Sequence, residues 1–294
     1  MIARLGTTLE SDDDQASSAA NRTLADGRTT RQRRLRTPVV LLRSAGLTAL
    51  SFVVLIGLWW GLIAVLKLDP FTSKTPMDVW RYLFTAAGAS SHRALLLGAL
   101  GKTLSDAAIG YVAGTITACA LAAVINRWRT AEQAVLPVAM VLRAVPLVAM
   151  TPVITLVAGR GLFATTLIAS IVVFFPTVVN LLLGFRSVTR EALDLMNAYG
   201  ATENQIFWKV QVPSSLPAFF AAARIAIPGA LIGVLIAEWL ATGNGIGYLM
   251  VNAQTSFDYN QLWSAAVLLT AVSAGAYMIV ETLERMTLAR RAGG

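Results

Sequence analysis

Cysteine and histidine are almost missing from this 294-residue chain, with Cys119 and His92 the only examples of each. A single cysteine, lying within an apolar run, excludes an internal disulfide framework and reads as a small helix-packing residue. A single histidine removes Ser-His-Asp and Cys-His catalysis, and with them any metal site built on a His or Cys cluster. Charge is scarce as well: charged residues make up 14% of the chain, against about 25% in a soluble domain. No secretory leader fits, because the first apolar run begins near Ala45 and no small-residue cleavage site follows it before Lys67. What the chain has instead is apolar surface, with 56% of residues hydrophobic and a mean hydropathy of +0.64. Its net charge of +8 comes from basic residues clustered before and between apolar runs. They form no aromatic-interleaved stripe, so nucleic acid is not an expected partner and the lipid bilayer is.

The apolar residues sit in runs of about twenty, the length that crosses hydrocarbon as helix. They predict an all-α, polytopic membrane helix bundle with six transmembrane helices, at about 45–66, 99–125, 134–157, 161–184, 217–241 and 261–283. These make one transmembrane domain, 38–294. It follows a polar tail, 1–37, whose Asp12-Asp13-Asp14 run and Arg31, Arg33, Arg34 and Arg36 cluster predict disorder. Six crossings place both termini on one side. With the termini cytoplasmic, 17 basic residues fall on inner segments and six on outer ones, which is the orientation the positive-inside rule selects. Glycine pairs at four-residue spacing, Gly57/Gly61, Gly110/Gly114 and Gly229/Gly233, predict close helix contacts within the bundle. Pro146, Pro152, Pro176 and Pro228 also fall inside spans, where each frees a backbone carbonyl and permits a kink.

The longest internal loop, 185–217, is too long for a connector and shows helical design. Glu191 to Tyr199 reads as a short helix opened by an acidic residue, which suits the positive end of the helix dipole. Gly200 supplies the backbone freedom to end it. Thr202-Glu203-Asn204-Gln205 has the form of a capping box, so a second helix is expected to run toward Val210 with Ile206, Phe207 and Val210 on its apolar face. Val212-Pro213 is expected to stop that helix and Leu216-Pro217 to start the fifth span, since proline is tolerated in a first helical turn. Two short helices joined at a glycine elbow on the cytoplasmic face make a rigid knob for a partner. The plainer alternative is an amphipathic elbow lying on the membrane surface.

These loop residues carry a family resemblance. Glu191-Ala192-Leu193, Gly200-Ala201, Val212-Pro213 and Leu216-Pro217 resemble the EAA loop of binding-protein-dependent ABC importer permeases, with Leu193 standing where alanine is usual. Leu58-Trp59-Trp60, Leu142 to Pro146, Phe174-Phe175-Pro176 and Ala237-Glu238-Trp239-Leu240 followed by Gly243 to Leu249 extend the resemblance from about residue 50 to 285. They narrow it to the nitrate/sulfonate/taurine-type subfamily. Asp106 departs from that pattern, a basic residue being usual there. The resemblance implies the type I ABC importer permease fold and docking of the loop on a separate ATPase through Glu191, Ala192, Leu193, Gly200, Ala201, Thr202, Ile206, Phe207, Pro213 and Pro217. It also implies a homodimer of two permease copies, two ATP-binding cassette subunits and an extracytoplasmic substrate-binding protein, assembled in a bacterial inner membrane. The chain itself would be non-catalytic and bind no cofactor or metal, with ATP and Mg held by the partner ATPase. Permeases of this kind carry small anions or small organic molecules: nitrate, bicarbonate, sulfonates such as taurine, aromatic carboxylates or vitamin precursors.

Ionisable residues inside spans are functional candidates by default. Arg143 falls about nine residues into the third span, near mid-bilayer at roughly 1.5 Å per residue. It either faces the translocation path, offering a donor fork to an anionic substrate, or pairs with a neighbouring helix. Glu238 lies near the outer end of the fifth span, where it either braces the outer loop or pairs with a basic residue. With Pro146, these are the candidate path residues. Asp106 and Arg224 lie close enough to span ends for snorkelling to account for them. Gly101-Lys102-Thr103 looks like the end of a phosphate loop, but Leu96 stands where its first glycine is required, so it reads as the outer end of a helix. Gly243, Gly245 and Gly247 lack the G-x-G-x-x-G spacing and predict a tight external turn. The rival reading, a stand-alone secondary transporter or channel, calls for inverted repeats, broken helices or several mid-membrane carboxylates, and the sequence offers none of these.

Overall fold

The computed structural model describes residues 50–128, 137 and 145–292, and every regular element among them is helical. The described residues up to Asp69 and those from Pro70 onward form two separate compact units. The first contains α1 (Leu50–Val65), a short apolar helix that falls within the first expected span and exposes most of its large side chains. The second begins with α2 (Pro76–Trp80), which runs on into a π-helical turn, Arg81–Thr85, and then α3 (Ala89–Arg127), α4 (Leu147–Ala158) and α5 (Leu162–Phe185). After α6 (Arg190–Ala198), α7 (Glu203–Ile206) passes through a π-helical turn, Phe207–Gln211, into α8 (Val212–Ala237), which ends in a further π-helical turn, Glu238–Thr242. Helices α9 (Ile246–Thr255) and α10 (Tyr259–Ala292) complete it.

Among the described residues four stretches are long and apolar enough to cross a membrane: Ala89–Arg127, Leu162–Phe185, Glu203–Thr242 and Tyr259–Ala289. They contain the second, fourth, fifth and sixth expected spans. The third, 134–157, lies partly outside the described residues, its described part being mainly α4. Large apolar side chains such as Leu156, Phe163 and Ile279 are exposed along these helices. In water such a surface would aggregate, whereas in lipid it is the ordinary outer face.

Helices α3, α5 and α8 pack most extensively on one another, and small residues explain how. The buried side of α3 runs through Leu96, Leu100, Thr103, Ala107, Gly110, Gly114, Ala118, Ala122 and Ile125, a helical repeat of three and four. Ala169 of α5 is fully buried and lies against two glycines: a Cβ on Gly110 would run into the Ala169 Cβ, and one on Gly233 would lie 2.8 Å from the Ala169 Cα. Backbones approach this closely only where side chains are absent, and close approach is what holds helices together in a solvent as apolar as they are. Two of the three glycine pairs singled out in the sequence therefore sit at helix contacts. Gly57 and Gly61 have nothing within 4 Å.

Helix α3 contains the expected span 99–125 and extends it back to Ala89, and two other expectations are corrected. Ser90, Ser91, His92 and Arg93 end the apolar run, but the His92 ring stacks on Tyr82 at 4.1 Å and Arg93 donates to the Leu83 carbonyl, so the polar turn is held as helix. Val212-Pro213 does not stop the chain, which is helical from Glu203 to Thr242. Pro213 has no N–H to donate, and it sits in the first turn of α8 just after the wide turn 207–211, which takes up the mismatch. Finally, Asp106 and Arg224 do not simply snorkel. Asp106 is 3% exposed and pairs with Lys102 one turn earlier, and Arg224 pairs with Glu284 of α10 at 3.1 Å.

Candidate docking surface and outer clasp

Thr189 caps α6, its hydroxyl accepting from the Ala192 N–H. The helix ends at Tyr199 and Gly200, the latter at φ +70°, with Gly200 N–H donating to the Asn197 carbonyl at 2.9 Å and Ala201 N–H to the Met196 carbonyl at 3.0 Å. That pair of bonds is a Schellman motif, whose left-handed residue is glycine because a Cβ would clash. Two residues on, the Thr202 hydroxyl accepts from Gln205 N–H at 3.3 Å while Gln205 Oε1 accepts from Thr202 N–H at 2.9 Å, the reciprocal box the sequence predicts. The elbow between α6 and α7 is therefore fixed by local hydrogen bonds at both sides of Gly200.

One side of this segment is anchored. Phe207 packs edge-on against Phe185 at 5.4 Å, within an apolar cluster formed by Ala118, Ala122 and Ile125 of α3 and Val178, Leu181, Leu182 and Phe185 of α5. Asn126 donates to Gln211 Oε1 at 2.7 Å, and Arg127 pairs with Glu203, so the end of α3 is tied to the turn by polar contacts as well. A cleft of about 660 Å³ opens between them, lined by Asn126, Arg127, Trp128, Glu203, Phe207 and Gln211 among others. Leu195 and Tyr199 of the first arm are exposed, Tyr199 to 83%, and Trp208 is exposed at the cleft. Of the expected docking residues, Glu191, Gly200, Thr202 and Pro217 are exposed and Ala192, Leu193, Ala201, Ile206, Phe207 and Pro213 half-buried.

Arg143 lies outside the described residues. Pro146 is exposed at the start of α4, where its carbonyl accepts from Ala149 and Met150 N–H. Glu238 is 1% exposed. Its Oε1 accepts from the Thr103 hydroxyl at 2.7 Å and its Oε2 from Gly247 N–H at 2.8 Å, while Thr103 in turn accepts from Ile246 N–H at 2.8 Å. Of the two sequence readings of Glu238, bracing of the 243–247 turn is the one this geometry matches. Sequence reasoning missed Thr103, which looked like part of a false phosphate loop, because a hydroxyl inside a helix gives no sign of a partner 135 positions away.

An all-helical, membrane-crossing bundle with no His or Cys cluster and an anchored amphipathic elbow defines a class, a polytopic transport-type membrane subunit. The family model for binding-protein-dependent transport system inner membrane components matches residues 110–291, and the chain belongs to that family. A probable ABC transporter permease protein of Haemophilus influenzae is 27% identical over 76% of this chain and 89% of its own length. The formylaminopyrimidine transport permease protein of Halalkalibacterium halodurans is 29% identical over 64% of this chain and 76% of its own. The taurine transport system permease protein of Escherichia coli is 24% identical over 75% and 81%. A chain of the MetNI methionine ABC transporter, solved in inward-facing conformations, superimposes with TM-score 0.56 at 18% identity, over 65% of this chain and 95% of that one, which shows a shared fold. The sequence resemblance to ABC importer permeases is thereby confirmed, and the chain is an ABC transporter permease subunit.

Proposed function

We propose that this chain forms the substrate path of an ATP-driven importer and couples it, through residues 185–217, to a separate ATPase that holds the ATP and Mg. The observation that carries this reading is the two-sided elbow: Phe207 is seated among residues of α3 and α5, while Leu195 and Tyr199 are presented outward. A force applied to the outward side is passed to spans through the inward one. In this reading Glu191, Ala192, Leu193, Gly200, Ala201, Thr202, Ile206, Phe207, Pro213 and Pro217 form the docking and transmitting segment, Arg143 and Pro146 belong to the path, and Glu238 braces the outer turn beside it. The assembly has two copies of this chain, two ATPases and an extracytoplasmic binding protein. It sits in a bacterial inner membrane with six crossings in domain 38–294, and both termini, including the tail 1–37, are cytoplasmic. The substrate class is a small anion or small organic molecule, a reading supported by the relatives named for formylaminopyrimidine and taurine.

The test is substrate uptake by whole cells or proteoliposomes carrying Gly200→Pro or Glu191→Lys. Proline cannot adopt φ +70° and has no N–H for the Asn197 carbonyl. Lysine reverses the charge at the positive end of α6. Both variants are expected to insert and to bring uptake to background; normal uptake by either removes the docking assignment.

A further inference from the structure

The outer end of the bundle holds a polar device that coupling does not use. Helix α9 begins at Gly245, which has no side chain to cap it, so the first-turn N–H groups need acceptors from elsewhere. Two other elements supply them. Ile246 N–H goes to the Thr103 hydroxyl of α3 and Gly247 N–H to the Glu238 carboxylate at the end of α8, and the Thr103 proton closes the triangle onto Glu238. A carboxylate at a helix N-terminus is also favoured by the dipole. The fit leaves no slack: a Cβ on Gly245 would overlap the Glu238 carboxylate, and one on Gly247 would lie 2.9 Å from Glu238 Oε2. Thr103 and Glu238 are fully buried, and breaking one partner strands buried donors.

We propose that Thr103 and Glu238 are a positioning pair that fixes α9 against α3 and α8, and so sets the outer contact surface, residues 243–257, that an extracytoplasmic binding protein engages. This rests on the importer reading above. Both ends of α9 are presented outward: Gly243 and Asn244 before it, Ser256 and Phe257 after it, are exposed. They flank a helix of only ten residues, too short to hold itself in place; its far side packs on α10, and the clasp fixes its N-terminal end. The pair acts through α9 and does not touch the transported substrate.

The chemistry separates hydrogen bonding from charge. In Glu238→Gln the amide oxygen still accepts from Gly247, one N–H of its NH2 donates to Thr103, and the threonine proton turns to the Ala99 carbonyl at 3.2 Å, so the Ile246, Gly247 and Thr103 donors each keep a partner. Thr103→Ser keeps the hydroxyl and Thr103→Val removes it at nearly the same volume. The experiment measures ATPase activity of the complete complex in proteoliposomes against the concentration of substrate-loaded binding protein. Thr103→Val is expected to raise the half-saturating concentration at least fivefold while leaving the activity without binding protein unchanged. Thr103→Ser and Glu238→Gln are expected to stay within about threefold of the parent. Gly247→Ala, which displaces the carboxylate without deleting a partner, is expected to act like Thr103→Val and serves if that variant fails to assemble. Parent-like half-saturation in an assembled Thr103→Val or Gly247→Ala complex overturns the proposal and leaves the importer reading standing. A parent complex whose ATPase ignores every binding protein removes both.

Discussion

At the scale of single residues, the tightest constraints are on side chains that are absent. Gly110 and Gly233 touch Ala169 from opposite helices, so Gly233→Ala pushes a methyl group against backbone. Overpacking of this kind costs about 1–3 kcal/mol. Gly98, with nothing within 4 Å, is the internal control, where alanine is neutral or stabilising by up to about 1 kcal/mol. Thermal unfolding in a mild detergent should rank Gly233→Ala below the parent and Gly98→Ala at or above it; equal midpoints for all three would mean that α5 and α8 are further apart than the structure has them. The spacing of Gly229 and Gly233 was legible as a packing motif. Its target was not, because nothing in a sequence says which neighbour a small residue faces.

At the scale of elements, the segment 185–217 was the most readable part of the chain. Its caps are local: Thr189, Gly200 and the Thr202/Gln205 box are each satisfied within a few positions. Where the reading erred, at Val212-Pro213, a proline taken for a stop is carried by a wide turn, and one residue of extra winding leaves no mark in composition. Because α6 presents Tyr199 with 83% exposure, Tyr199→Asp should leave the unfolding midpoint within about 0.5 kcal/mol of the parent. The same substitution should cut recovery of the co-purified ATPase at least tenfold. Full recovery would turn the elbow into a membrane-surface helix and favour the plainer alternative.

At the scale of the whole molecule, the two ends of the stretch 203–242 should face opposite sides of the membrane. Asn204 and Asn244 are exposed residues near opposite ends of the stretch 203–242. In a chain with Cys119 replaced, Asn244→Cys should react with a membrane-impermeant maleimide added to intact cells, and Asn204→Cys only after the cells are opened. The reverse pattern would invert the topology and place the elbow outside, where no ATPase acts. The pairing of Arg224 with Glu284 joins α8 to α10, and with the α3, α5 and α8 contact it makes the described bundle more than a set of independent spans.

The solvent was settled by sequence alone: twenty-residue apolar runs, few charges and basic clusters between them leave a bilayer as the only medium in which this chain buries its surface sensibly. Local hydrogen-bonded devices, the caps and the elbow, were settled the same way, because donor and acceptor lie within a turn of each other. Which face of each helix meets protein was decided only in three dimensions. In lipid the inward and outward faces are equally apolar, so periodicity carries little signal, and contact is chosen by shape. The same holds for the long-range polar pairs: Thr103 with Glu238, fully buried, and Asn126 with Gln211 and Arg224 with Glu284, half-buried, join residues far apart in the chain. A polar group withdrawn from water needs a partner, but only the packing of the helices determined which.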